Sequence, residues 1–154
     1  MVKTDSKNIK RKRFVVHEHH ATHLHFDFRL EIDGVLKSWA VPKGVSMNPA
    51  EKRLAVEVPD HALSYIDFEG TIREGSYGAG KVFIWDNGEF EPDADASESL
   101  RRGKLIFTMF GKTLRGAFTL LKMQSRPKQW LLIKSRDEFA EPNWKLKTIL
   151  ETKN

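Results

Sequence analysis

A chain of 154 residues with no cysteine has the length of one domain, and it excludes disulfides, thiolate nucleophiles and zinc–thiolate sites. No apolar run reaches membrane-spanning length and the first residues lack a signal peptide's apolar segment, so a cytoplasmic protein with no membrane partner is expected. The net charge of +5 is carried by residues 1–13, where Lys3, Lys7, Lys10, Arg11, Lys12 and Arg13 outnumber a single acid, Asp5, while charges in the rest cancel. The expectation is a flexible basic arm (1–13) on one domain (14–154), a pairing that suits a polyanion such as nucleic acid.

In chain order, residues 13–17 read as a short strand, and His20-Ala21-Thr22-His23 as a turn. From Leu24 to Ile32 the sequence alternates strictly: Leu24, Phe26, Phe28, Leu30 and Ile32 take one face, His25, Asp27, Arg29 and Glu31 the other. That period marks a strand with one buried face. Asp33-Gly34 then predicts a hairpin into a return strand at 35–41. A loop rich in turn formers follows Pro42, and residues 53–58 alternate again. Residues 62–67 read as a short helical turn, and the glycines around Tyr77 as a tight loop into a strand at 81–85. Asn87-Gly88 reads as a second hairpin. The segment 86–98 is acidic, with Ser97 as the expected cap of a short helix ending at Arg102. Strands at 105–110, 117–123 and 130–134, then an irregular tail or short helix, complete the chain. About eight short strands joined by glycine turns, with one or two short helices, predict a mainly β protein: one compact β-barrel.

Five of the six histidines, at 17, 19, 20, 23 and 25, fall in HEHHATHLHFDFRLE. His25 and Asp27, two apart on a strand face and roughly 6.6 Å between Cα atoms, can converge on one ion. His19 joins them only if the chain reverses at 20–23. Two imidazoles and a carboxylate leave coordination positions open and suit manganese, iron or zinc. Arg29, next on that face, is a fork matched to phosphate, and Lys43 and Arg53 extend a cationic clamp. His61 is open to three roles: a further metal ligand, a proton donor, or a phosphate contact. Tyr65 shares its face if 61–65 is helical. His17, His20 and His23 are expected to support the cluster or to be exposed. Two rival readings stand beside this one. An iron oxygenase would use His25, Asp27 and His61, and a non-catalytic nucleic-acid-binding barrel would use the histidines structurally. The glycine loop lacks the GK[ST] of a nucleotide-binding P-loop.

HEHHATHLHFDFRLEIDGVLKSWAVPKG, KRLAVEVPDHALSY and FEGTIREGSYGAGKVFIWDNG, with WLLIKSRD later, together resemble the 3′-phosphoesterase domain of bacterial DNA ligase D, here as a stand-alone version. The resemblance covers about residues 14–137. It implies a manganese-dependent enzyme that removes a 3′-terminal ribonucleoside and then the 3′-phosphate from DNA primer–template ends. That activity prepares ends for a separate DNA ligase and end-binding protein in non-homologous end joining. It further implies that His19, His25 and Asp27 hold the metal, and that Arg29 holds the scissile phosphate. His61 and Tyr65 would contact phosphate or assist transfer, with Lys43 and Arg53 as further basic contacts. The chain departs from the family pattern at Pro59, where relatives often carry an acid, and at Ala62 and Arg73, where they often carry proline.

Overall fold

The computed structural model describes residues 10–75 and 79–150. Residues 1–9 of the basic arm, and Tyr77 and Gly78 of the glycine loop, lie outside the described residues. Nine strands form one antiparallel sheet: β1 (Lys12–His20), β2 (Leu24–Ile32), β3 (Val35–Val41), β4 (Arg53–Ala62), β5 (Gly70–Ile72), β6 (Gly80–Pro92), β7 (Lys104–Gly111), β8 (Arg115–Lys122) and β9 (Gln129–Lys134). Neighbours run β1-β2-β3-β4-β9-β8-β7-β6, and pairing of β1 with β6 closes these eight into a barrel. The short β5 is added on β6. Outside the sheet lie an α-helix, α1 (Ala96–Arg102), and a 3-10 helix (Leu63–Asp67).

The β2–β3 hairpin follows from its turn. Asp33 and Gly34 both have positive φ, 56° and 79°, the two-residue primed geometry that matches strand twist. It fixes the register at Ile32↔Val35 and therefore sets Arg29 opposite Ser38. Three expectations are corrected. Asn87-Gly88 is no hairpin but lies inside β6, where Gly88 faces Phe14 of β1 and Gly111 of β7. A Cβ at Gly88 would stand 2.4 Å from the Phe110 carbonyl oxygen, so close backbone approach requires the glycine. Asp95, not Ser97, caps α1, its carboxylate accepting from the Ser97 and Glu98 backbone N–H groups, while the Ser97 hydroxyl donates to Asp33. The strand expected over 13–17 is longer at both ends, β1 beginning at Lys12 and running to His20.

Alternation sends Phe14, Phe26, Phe28, Leu30, Trp39, Phe90, Phe107, Phe118 and Trp130 into the barrel, where they are nearly inaccessible. Each such side chain stabilises by about 1.5–3 kcal/mol, and Phe28 packs on both Trp39 and Phe107. Trp144, Leu146 and Ile149 of the C-terminal segment pack against this core, and Trp85 Nε1 donates to the Lys147 carbonyl at 2.8 Å. A second, smaller cluster lies apart from it: Val15, Leu36 and Ile66, flanked by Leu63, Tyr65 and Ile84. It packs the 3-10 helix against β1 and β3 and brings His61 and Tyr65 beside the polar row of β2. No helix among the described residues is long and apolar enough to cross a membrane.

Candidate metal and phosphate site

The turn at 21–23 folds β1 back along β2 in a register that sets His19 opposite His25 and His17 opposite Asp27. His19 Nδ1 stands 3.4 Å from Asp27 Oδ2, and His25 Nε2 stands 3.2 Å from Asp27 Oδ1. One ligand atom from each of the three lies within 4.8 Å of the others. The group is therefore close enough to hold one cation, with its open side on a pocket of about 390 Å³. His19, His25, Asp27, Arg29, His61 and Tyr65 all line that pocket, against an apolar wall that includes Ala40, Val58, Pro59 and Ile72.

Arg29 is nearly buried, and its donors are almost fully used. Nε–H donates to His17 Nδ1 at 3.1 Å, Nη1 to Ser38 Oγ at 2.8 Å and to His61 Nδ1 at 3.1 Å, and Nη2 to Asp27 Oδ2 at 3.2 Å. A guanidinium offers five N–H groups and no acceptor, so one N–H on Nη2 is left by these four bonds. Because arginine only donates, His61 Nδ1 is an acceptor and a neutral His61 carries its proton on Nε2. Ser38 in turn donates to the Leu36 carbonyl. Tyr65 lies between His61 and Phe68, at ring separations of 4.7 and 4.8 Å.

The charges follow from these contacts. Burial alone would raise the Asp27 carboxyl, but hydrogen bonds from His19 and His25 and the Arg29 charge outweigh it and hold the group well below the usual carboxylate range. The hydrogen bond to Asp27 pushes His25 upward against its burial. Burial and then Arg29 push His61 downward, and burial pushes Tyr65 upward, so near neutrality His61 is an uncharged imidazole and Tyr65 keeps its proton. Two imidazoles and an ionised carboxylate, held by side chains that give up protons when a cation arrives, form a donor set that fits manganese, iron or zinc.

Two residues assigned to a phosphate clamp are not brought to the pocket. Lys43 is exposed in the turn after β3, and Arg53 is paired with Glu51 at 3.2 Å; neither lines it. His20 bonds to Glu18 at 2.6 Å and His23 is exposed. His17, expected to support the cluster or to be exposed, is fully buried and bonded to Arg29; Ser38 was missed in the sequence, although its place opposite Arg29 was available from the two-residue turn.

Residues 17–122 match the family model described as the DNA ligase D 3′-phosphoesterase domain. The chain is 52% identical over 130 residues, 83% of its length, to the multifunctional non-homologous end joining protein LigD of Pseudomonas aeruginosa. It is 42% identical over 132 residues, 82% of its length, to the protein of that name from Mycolicibacterium smegmatis. Against the multifunctional non-homologous end joining DNA repair protein LigD of Mycobacterium tuberculosis it is 45% identical over 109 residues, 71% of its length. The matches take in only 16%, 17% and 14% of those three relatives.

Proposed function

The chain belongs to the DNA ligase D 3′-phosphoesterase domain family, and from that premise we propose that it is a manganese-dependent hydrolase trimming 3′ ends of DNA for repair. Its substrates on this reading are primer–templates ending in a 3′-ribonucleotide or a 3′-phosphate, supplied to a separate ligase and end-binding protein. One observation carries the reading: a two-histidine, one-carboxylate cluster and a buried arginine share one pocket wall, joined through Asp27.

His19, His25 and Asp27 would hold the metal, whose Lewis acidity polarises a phosphoryl oxygen and lowers the pKa of water. Arg29 presents its remaining Nη2 N–H to the phosphate and offsets charge that builds in the transition state. His61, neutral with its proton on Nε2, donates a hydrogen bond rather than acting as an imidazolium acid, and the Tyr65 hydroxyl is a second neutral donor. Ser38, the hydroxyl beside Arg29, is held between that residue and the Leu36 carbonyl, and cysteine is absent. A water nucleophile fits this arrangement. Lys43 and Arg53 remain assigned to DNA outside the pocket, where their charges steer the strand.

The test is a primer–template ending in one ribonucleotide or in a 3′-phosphate, incubated with Mn²⁺ and then with EDTA. Processing in manganese that stops in chelator is expected. No processing of either substrate, or full activity of His25→Ala, removes the assignment.

A further inference from the structure

Arg29 is the centre of the pocket's hydrogen bonding, yet the residue that fixes its plane lies behind it, outside the pocket lining. His17 is completely buried. Its Nδ1 accepts from Arg29 Nε–H at 3.1 Å, so that nitrogen carries a lone pair. Its Nε2 lies 3.1 Å from the Phe68 carbonyl oxygen, which can only accept, so Nε2 carries the proton. The two contacts admit one tautomer, the neutral Nε2–H imidazole, and no other protonation state satisfies both. The carbonyl is itself held, because Phe68 N–H donates to the Tyr65 carbonyl at the end of the 3-10 helix, and the His17 ring meets Tyr65 edge-on at 5.1 Å.

Nε carries a single N–H, and His17 is its acceptor. Ser38, His61 and Asp27 hold the two terminal nitrogens, and Asp27 is also assigned to the metal. His17 is assigned to neither metal nor phosphate, and its other nitrogen is held by the Phe68 carbonyl. Resting on the phosphoesterase reading above, we propose that His17 is a positioning residue. Its single tautomer ties the helix that carries Tyr65 to Arg29 and keeps the free N–H edge of that guanidinium aimed at the phosphoryl oxygen.

The test compares His17→Gln, whose amide has one acceptor and one donor to replace both contacts, with His17→Phe, which keeps a ring and loses both. Manganese affinity, affinity of the manganese-loaded protein for inorganic phosphate, and kcat/KM on a 3′-phosphate oligonucleotide are measured for each. With the guanidinium no longer fixed, His17→Phe should lose about 10–100-fold in phosphate affinity and kcat/KM while binding manganese as the wild type does. His17→Gln should recover to within about 5-fold, the residue of imperfect reach. Wild-type phosphate affinity in His17→Phe, or equal loss in the glutamine variant, overturns the proposal. A measurement independent of folding of the variants is the ¹⁵N spectrum of the wild-type imidazole, where Nε2–H is expected and Nδ1–H would overturn it. Absence of turnover in the wild type would count against the phosphoesterase reading alone, because the phosphate affinities and the tautomer are read without turnover.

Discussion

Two buried aspartates, Asp27 and Asp86, show what separates a ligand from a strut. They are 6% and 3% exposed, and both carry several hydrogen bonds. Asp27 is held wholly by side chains, those of His19, His25 and Arg29. Asp86 is held by backbone, accepting N–H groups from Asn87 at 2.9 Å, Lys112 at 2.9 Å, Thr113 at 3.2 Å and Leu114 at 2.8 Å, and so fastening the β7–β8 turn. Their acidities move in opposite directions. Burial raises Asp86 and its four donors offset only part of that, whereas beside Asp27 the imidazoles and the guanidinium overcome burial. A peptide N–H cannot withdraw, so the lone pairs of Asp86 are committed. An imidazole can release its proton and turn the same nitrogen toward a cation, so Asp27 and its neighbours can exchange hydrogen bonds for metal bonds.

The largest test of this contrast is Asp27→Asn against Asp86→Asn, both assayed at low temperature where each is folded. Asp27→Asn should lose at least about 100-fold in manganese affinity and in 3′-phosphate hydrolysis, and Asp86→Asn should keep both. An active Asp27→Asn, or an inactive but folded Asp86→Asn, breaks the distinction.

Acid should next separate the two regions by sign. His17 sits behind Asp27, and burial, then Arg29, pushes it down to about 4 from 6.5. The unfolded chain therefore takes that proton first, and stability present above pH 6.5 is lost as the pH falls toward 4, by up to about 3 kcal/mol. Asp86 runs the other way: its raised pKa means the folded state holds the proton longer, so its contribution grows on acidification and is lost as pH rises. Urea unfolding from pH 7 to 4 should show a steeper decline in the wild type than in His17→Gln; equal slopes would remove His17 as the cause. At neutral pH, Asp86→Asn should cost about 2 kcal/mol, since an amide NH₂ would face peptide donors, and an unchanged urea midpoint would show the turn is held otherwise. The smallest effect is expected at Gly34→Ala in the β2–β3 turn. A Cβ there meets nothing within 4 Å and only the φ of 79° is strained, so about 1 kcal/mol is lost and activity is untouched.

How far this was legible in the sequence depended on local pattern. β2 and β3 were readable to their end residues because alternation and a two-residue turn fix both faces and register. β1 was read as ending at His17, since His17-Glu18-His19-His20 does not alternate in polarity; its inward residue is an acid. Glu18 is fully buried because the Ile149 and Leu150 backbone N–H groups donate to it from the far end of the chain, a partner no short-range signal announces. Asn87-Gly88 misled because glycine serves both tight turns and close strand approach. His61 and Tyr65 could be singled out but not placed. The β3–β4 pairing shifts register between Leu36 and Ser38, so counting along β4 does not say which β2 residue His61 will meet.

That a register shift also occurs on the other side of β1 gives β6 a constraint of its own. Val16 pairs with Asp86 and His17 with Ile84, leaving Trp85 as an extra residue in β6. Successive residues of a regular strand point to opposite faces, yet Trp85 and Asp86 are both turned inward, one toward the C-terminal segment and one toward the β7–β8 turn. The bulge is what permits it. Deleting one residue between Ile84 and Asn87 would restore a regular ladder and evict one of the two, so in β6 the inherited quantity is residue number as much as residue type. Length variation among related chains should be purged from this strand and concentrate in connections such as 123–128.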